Sequence, residues 1–265
     1  MQRSGALYTI LFSAAVCFVC SLMVSVAAVT LKSRQEHNQV LDRERNVLAV
    51  SGLTKPGETV SDAKVSEIFK NNITPKFVNL KTGKYATPDE VGVGYKQYDQ
   101  RKAAASDDLG YKAPENPSRI ARLPKYALIY EVMNKSGKLD KLVLPVEGYG
   151  LWGTLYGYLA LEQDANTIAG LTFYEQKETP GLGGEVDNPA WKALWPGRKA
   201  FGKNGKVRIH VKKGKAGPPS QDPYAVDGIS GATLTSNGVT HLLQFWLGPN
   251  GFGPFIDNYN QKKLA

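Results

Sequence analysis

From Leu7 to Leu31 the chain runs "LYTILFSAAVCFVCSLMVSVAAVTL", 25 residues without a charge. As a helix this run would be about 37 Å long, enough to cross a bilayer with some tilt. Polar and apolar positions then alternate at helical spacing. "EHNQVLDRERNVLAVSG" sets Val40, Val47, Leu48 and Val50 among charges before Gly52, and "SDAKVSEIFKNN" places Val65, Ile68 and Phe69 on one side behind Ser61 or Asp62 as N-cap. Two short helices are predicted there, a helical neck. From about Thr82 to Pro117 the chain is rich in Gly, Pro, Asp and Lys, with "KAPENP" as a boundary. Beyond it the period falls to two. "YALIYEVM" and "LDKLVLPV" flank "NKSGK", and "TLYGYLALE" and "TIAGLTFYEQ" flank "QDAN", which predicts two antiparallel hairpins over residues 126–176. "KVRIHV" alternates Val207, Ile209 and Val211 with Lys206, Arg208 and His210, a further strand. Two helices punctuate these strands: "NPAWKALW" with Pro189 in its first turn, and "SNGVTHLLQFWLG" with Val239, Leu242, Leu243 and Trp246 as its stripe and Gly248 at C′.

The pattern implies a membrane span followed by an α+β domain, an antiparallel sheet with flanking helices. The boundaries read as a tail (1–6), a transmembrane helix (7–31), a helical neck with the N-terminal part of the region outside the membrane (32–117) and the sheet domain (118–265). Cleavage after "SVA", Ser25 to Ala27, competes with a retained anchor, but the apolar run exceeds the roughly 7–15 residues of a signal h-region. Composition leaves disorder aside, with 42% hydrophobic, 10% aromatic and 22% charged residues. The net charge of +9 suits an acidic partner or an anionic membrane. The basic stretch "KVRIHVKKGK", however, lacks the interleaved aromatics of a nucleic-acid platform and reads as a solvated strand face. Both cysteines, Cys17 and Cys20, fall inside the apolar span. The domain beyond it therefore holds no disulfide, thiolate metal site or iron–sulfur cluster, and no metal site is expected.

Three glycine-rich stretches carry candidate chemistry. "GYGLWG", Gly148 to Gly153, matches G-x-G-x-x-G, and Glu175 stands near where a dinucleotide fold keeps its ribose acid. Such a fingerprint must open a helix, whereas the following "TLYGYLALE" alternates as a strand, so this stretch is not a dinucleotide loop. It is either a plain hairpin loop or a place where Tyr149 and Trp152 stack on a planar ring. "KETPGLGGE", Lys177 to Glu185, suits a type II turn at Thr179-Pro180-Gly181. "DGISGATLTSNG", Asp227 to Gly238, precedes the second helix, and Thr235 or Ser236 would cap it. Capping leaves Asp227 and Thr233 without roles, and leaves the helix amino end open to an anion.

"DGISGATLTS" resembles the flavinylation motif of covalent FMN-binding domains, in which the threonine after Ser/Thr-Gly-Ala bears FMN through a phosphoester bond. Together with "ETPGLG", the "EGYGLWG" loop and a single N-terminal span, in this order, the whole chain resembles the C-subunit family of the sodium-translocating NADH:quinone reductase. The nearest alternative is the G-subunit of an Rnf-type electron-transport complex. The resemblance implies covalent FMN at Thr233, with Ser230, Gly231 and Ala232 beside it and Asp227 read by the flavin transferase. The ring would lie among Tyr149, Trp152, Glu178, Thr179, Gly181 and Leu182. Lys215 is proposed to pair with the phosphate, in competition with Lys212 and Lys213. Lys177 departs from the histidine or glycine that related domains often carry there.

The resemblance further implies an electron carrier within a multi-subunit NADH:ubiquinone reductase. It would relay electrons between an iron–sulfur centre and another flavin subunit, with no catalytic residue and no turnover of its own. Its domain would lie on the periplasmic side of a bacterial inner membrane. The basic residues Lys32, Arg34, Arg43 and Arg45 count the other way and would hold it in the cytoplasm. A non-redox anchored periplasmic module stays open, as does a hydrolase built on Ser230 and His241, though no G-x-S-x-G elbow supports the latter.

Overall fold

The computed structural model describes residues 5–55 and 58–264, and it divides into two compact units, 1–43 and 44–265. The first consists of most of α1 (Ala6–Ser51), a single helix of 46 residues, about 69 Å of rise. The anchor and the first predicted neck helix are thus one element. No glycine, proline or cap interrupts the chain between Ala6 and Ser51, so helical hydrogen bonding has no reason to stop at the charged residues. The apolar part presents Leu7, Phe12, Phe18, Val24 and Val29 to the outside, each 60–75% exposed. Among the described residues α1 is the one helix long and apolar enough to cross a membrane, with a mean hydropathy of 2.5 over its most apolar window.

The second unit is built on a six-stranded sheet. α2 (Asp62–Asn72) leads directly into β1 (Ile73–Asn79), which pairs with β2 (Tyr85–Ala86) on one side. On the other side β1 pairs with β5 (Tyr126–Met133), and β6 (Leu139–Tyr149), β7 (Thr154–Glu162) and β8 (Ile168–Glu175) follow in order, every pair antiparallel. Between β2 and β5 lie α3 (Pro88–Val91), α4 (Gln100–Ala105) and a small antiparallel ribbon of β3 (Gly110–Lys112) and β4 (Arg122–Pro124). The expected boundary at residue 117 therefore does not separate a neck from a domain. Ile73 to Asn79 is paired along its whole length with β5, so the compact unit begins at Glu44.

Both faces of the sheet are buried, which two hydrophobic clusters make plain. Ile129, Leu142, Leu144, Val146, Leu155, Leu159 and Leu161 face α6 (Thr233–Trp246), whose Val239, Leu242, Leu243 and Trp246 are fully buried as their spacing predicts. Leu128, Tyr130, Val132, Val143, Tyr158 and Ala160 face the other way, onto Val47, Leu48, Val50 and Val65 of the N-terminal helices. The tyrosine side of β7 is therefore no solvent face; the neck residues cover it. α6 is also pinned by polar bonds, with Trp246 Nε1 donating to the Glu147 carbonyl at 2.7 Å and Thr240 Oγ1 accepting from Val211 N at 2.9 Å.

The segment before α6 holds α5 (Pro189–Lys192), whose N-cap Asn188 accepts from Ala190 N, and a two-stranded ribbon. Of the predicted strand at 206–211, only β9 (His210–Lys212) forms, and it pairs with β10 (Ala225–Asp227) in parallel. A short parallel pair is possible because the intervening 12-residue loop carries the chain back across to the same end. α7 (Gly253–Leu264) closes the chain.

Candidate functional site

α6 starts earlier than its capping residues predict. Its first residue is Thr233 and its N-cap is Ala232, which has no side chain able to cap. The first helical bond runs from Ser236 N to the Ala232 carbonyl at 3.0 Å. Among the described residues no protein acceptor meets the amides of Thr233, Leu234 or Thr235. Thr235 and Ser236 are not caps, because each hydroxyl has a stronger claim on it from elsewhere. Ser236 Oγ accepts from Ile229 N at 3.2 Å, and Thr235 Oγ1 donates to Glu178 Oε2 in a short bond. Both are buried, while Ser230 and Thr233 are exposed. The helix therefore begins with an exposed hydroxyl on its first residue and three amide donors aimed past its end, an anion-binding arrangement.

β10 aims this motif. Asp227 accepts from Ala216 N through Oδ1 at 2.9 Å, and its carbonyl takes the Trp191 indole N–H at 2.9 Å. Gly228 N bonds the Gly214 carbonyl at 2.8 Å. These bonds fasten the backbone on both sides of Lys215 to the start of the motif and leave its side chain exposed. Lys212 is paired with Asp222 at 3.2 Å. Of the three lysines weighed for a phosphate, Lys215 is thus held beside the motif and Lys212 is already committed.

The second stretch forms the expected turn. Leu182 N bonds the Thr179 carbonyl at 3.1 Å, and Gly181 at φ +75° occupies the one position of a type II turn that needs a positive φ. Thr179 and Leu182 are exposed, Leu182 at 44%, and a Cβ placed on Gly231 would lie 2.9 Å from Leu182 Cδ2, so the turn rests against the motif. Glu178 behaves differently from its neighbours. It is 5% exposed, and Oε1 accepts from both Leu151 N and Trp152 N at 2.9 Å while Oε2 takes the Thr235 hydroxyl.

The third stretch is the β6–β7 hairpin loop, closed by Gly150 N to the Gly153 carbonyl at 2.8 Å. It opens a strand, as the alternation requires, and no helix. Trp152 is 64% exposed, and the stem of Lys177 packs on Gly153. Tyr149 is not with this group. Strand alternation puts its ring on the face opposite Gly148, whose Cβ position meets Leu242 of α6, and the Arg119 guanidinium stacks 5.0 Å above it.

That far face holds a cavity of about 280 Å³ lined by Arg101, Ser118, Arg119, Glu147, Tyr149 and Tyr156 among others. Arg101 lies 3.3 Å over the Tyr156 ring and bonds Glu175 at 2.7 Å, so the acid that a dinucleotide pattern would use is held in an ion pair. Burial pushes the Glu147 carboxyl up to about 7, against the pull of Arg101. Ser230 and His241 share no hydrogen bond among the described residues, and His241 is half-buried on α6. No group of three His, Cys, Asp or Glu residues converges as a metal site among the described residues.

Sequence reasoning passed over Thr235 as a buried tie. Its signal was present, since Thr235, Val239, Leu242 and Trp246 continue one helical stripe at spacings of 4, 3 and 4.

Residues 150–248 match the family of FMN-binding domains. The chain is 46% identical over 254 residues to the C-subunit of the Na(+)-translocating NADH-quinone reductase of Pseudomonas aeruginosa, covering 94% of each. It is 38% identical over 258 residues to the protein of the same name from Yersinia pestis, covering 97% of this chain and 94% of that one. Its fold is similar to the crystal structure of Shewanella oneidensis NqrC, with a TM-score of 0.76 and 32% identity over 86% of this chain and 99% of that chain. Each of these relatives is a C-subunit of that reductase, and none is the Rnf-type alternative that the motif alone left open.

Proposed function

The chain belongs to the C-subunit family of the Na(+)-translocating NADH-quinone reductases and carries an FMN-binding domain, and on that premise we propose that FMN is joined to it by a phosphoester bond at Thr233. The observation that carries this reading is the exposed Thr233 hydroxyl on the first residue of a 14-residue helix whose leading amides no side chain caps. A phosphodiester keeps one negative charge. The amides of Thr233, Leu234 and Thr235 would hold it, favoured by the helix dipole by about 0.3–1 kcal/mol. Lys215 would add a charge-assisted contact from a loop tied to Asp227 and Gly228.

The residues present also fit the planar part of the group. Trp152, Leu182 and Leu234 are exposed apolar side chains on the three stretches, Gly231 leaves out a side chain where Leu182 meets the motif, and the small Ala232 is buried. Thr179 lies exposed at the turn. During maturation a flavin transferase would deliver the FMN half of FAD to Thr233 Oγ1, which loses its proton as the pyrophosphate bond breaks and AMP leaves. Ser230 is the other exposed hydroxyl, but it precedes the helix and lacks those amides.

When bound, FMN supplies the redox chemistry, carrying electrons between an iron–sulfur centre and another flavin subunit of the complex. The chain itself provides the attachment point, the amide cradle and the apolar wall, and turnover belongs to the assembled reductase. In the same reading the domain would stand on the periplasmic side of a bacterial inner membrane, with α1, the one helix among the described residues long and apolar enough to span it, as its anchor.

Ultraviolet fluorescence in a denaturing gel tests the attachment. Protein made with the transferase should give a bright band, Ser230→Ala should stay bright and Thr233→Ala should be dark. A bright Thr233→Ala band would refute the assignment.

A further inference from the structure

Glu178 is a carboxylate buried without a cation. Among the described residues no lysine or arginine pairs with it, and it is compensated by three neutral donors from two other parts of the fold: the Leu151 and Trp152 amides on Oε1 and the Thr235 hydroxyl on Oε2. Its own backbone is fixed in turn, since Glu178 N donates to Gln176 Oε1 at 2.6 Å and Gln176 Nε2 donates to Asp187 at 3.1 Å. A buried charge survives only when its lone pairs are met, so this geometry is specified on all three sides.

The surrounding backbone is shaped to it. A Cβ on Gly150 would lie 2.6 Å from Oε1, and one on Gly183 would lie 2.6 Å from Oε2 and 2.5 Å from Thr235 Oγ1. Two glycines from separate loops thus allow the chain to close over the carboxylate. Drawing the Leu151 and Trp152 amides inward leaves their side chains outward, where Trp152 is 64% exposed. Thr235 stands two residues past Thr233 in the first turn of α6.

We propose that Glu178 is a positioning residue for the bound flavin: its carboxylate ties the Leu151–Trp152 backbone to the first turn of α6, and so sets where the Trp152 indole stands relative to Thr233. Glu178 does not contact the ring through its carboxylate, because both oxygens are engaged by protein donors. The role toward the flavin rests on the reading of Thr233 as its attachment site; the tie itself does not.

Full-length protein in detergent, made with and without the transferase, tests both parts. Without flavin, the Leu151 and Trp152 amides should exchange hydrogen slowly in the wild type and in Glu178→Gln, whose Oε1 can still accept both. In Glu178→Ala they should exchange about tenfold faster. With flavin, Glu178→Ala should keep its fluorescent gel band yet lose most of the visible circular dichroism of the flavin, and Glu178→Gln should restore it. Unchanged exchange and unchanged dichroism in Glu178→Ala would overturn the proposal. If that variant does not fold, Thr235→Val releases the α6 end of the tie alone and should lower the dichroism with the band retained; an unaltered signal would overturn the proposal equally. A dark wild-type band beside the expected exchange pattern would instead refute the Thr233 reading and leave the tie standing.

Discussion

Four hydroxyls lie within seven residues, from Ser230 to Ser236, and the backbone sorts them into two exposed and two buried. The local pattern marked Thr233 as the residue that capping leaves without a role, and the resemblance of its motif made it the attachment point. What the pattern could not give was the fate of Thr235, because its partner Glu178 is 57 positions away in the chain. Glu147 teaches the same lesson for charge. In sequence it is an ordinary acid beside a glycine loop, yet burial raises its carboxyl from 4.5 to about 7, with Arg101 pulling the other way. A carboxyl with a raised folded value binds its proton more tightly in the folded state, so stability is lost as pH rises from about 4.5 through about 7. Glu147→Gln removes that dependence. The variant should match the wild type near pH 4 and exceed it at pH 8 by on the order of 1–3 kcal/mol. Urea melts across this range check it, and a difference that does not vary with pH would count against the assignment.

At the scale of elements, the hairpins of 126–176 were legible because alternation and turn residues are local properties, and β5 to β8 follow them closely. Helix ends were less so. The break expected after the membrane span does not occur, and the N-cap of α6 moves from Thr235 or Ser236 back to Ala232 because Thr235 and Ser236 spend their hydroxyls on tertiary partners. The packing of α6 on the β6–β7 loop yields a sharp contrast between adjacent residues. A Cβ on Gly238 would lie 2.5 Å from the Tyr149 carbonyl oxygen and 3.0 Å from Gly150 Cα, backbone atoms that cannot rotate aside. Helix propensity favours alanine over glycine by about 1 kcal/mol, but overpacking costs about 1–3 kcal/mol, so Gly238→Ala should lower the urea midpoint. Asn237→Ala, on the exposed side of the same turn, should raise it by a few tenths of a kcal/mol. A gain in both would show that α6 does not press on the loop as described.

For the whole molecule, sequence composition placed the neck outside the sheet domain, and the structure draws residues 44–117 into it. β1 completes the sheet beside β5, and Val47, Leu48 and Val50 cover its far face. Topology belongs to this scale too. Lys32, Arg34, Arg43 and Arg45 favour the cytoplasm, but a long domain translocates largely regardless of such charges. The only native cysteines, Cys17 and Cys20, lie within the apolar run of α1, so one cysteine placed on an exposed loop reports the side cleanly. Lys213→Cys in spheroplasts should react with a membrane-impermeant maleimide before lysis; labelling that appears only after lysis would put the domain in the cytoplasm. The sequence alone determined the apolar span, the hairpins and the turn at Gly181, because each depends on periodicity or on the steric limits of neighbouring residues, while the candidate threonine came from the resemblance of its motif. Only the tertiary structure decided that the neck supplies a full strand of the sheet, that Tyr149 turns away from the motif, and that Glu178 ties the β6–β7 loop to the first turn of α6. Those outcomes depend on hydrogen bonds and burial between residues tens of positions apart, for which a local pattern holds no record.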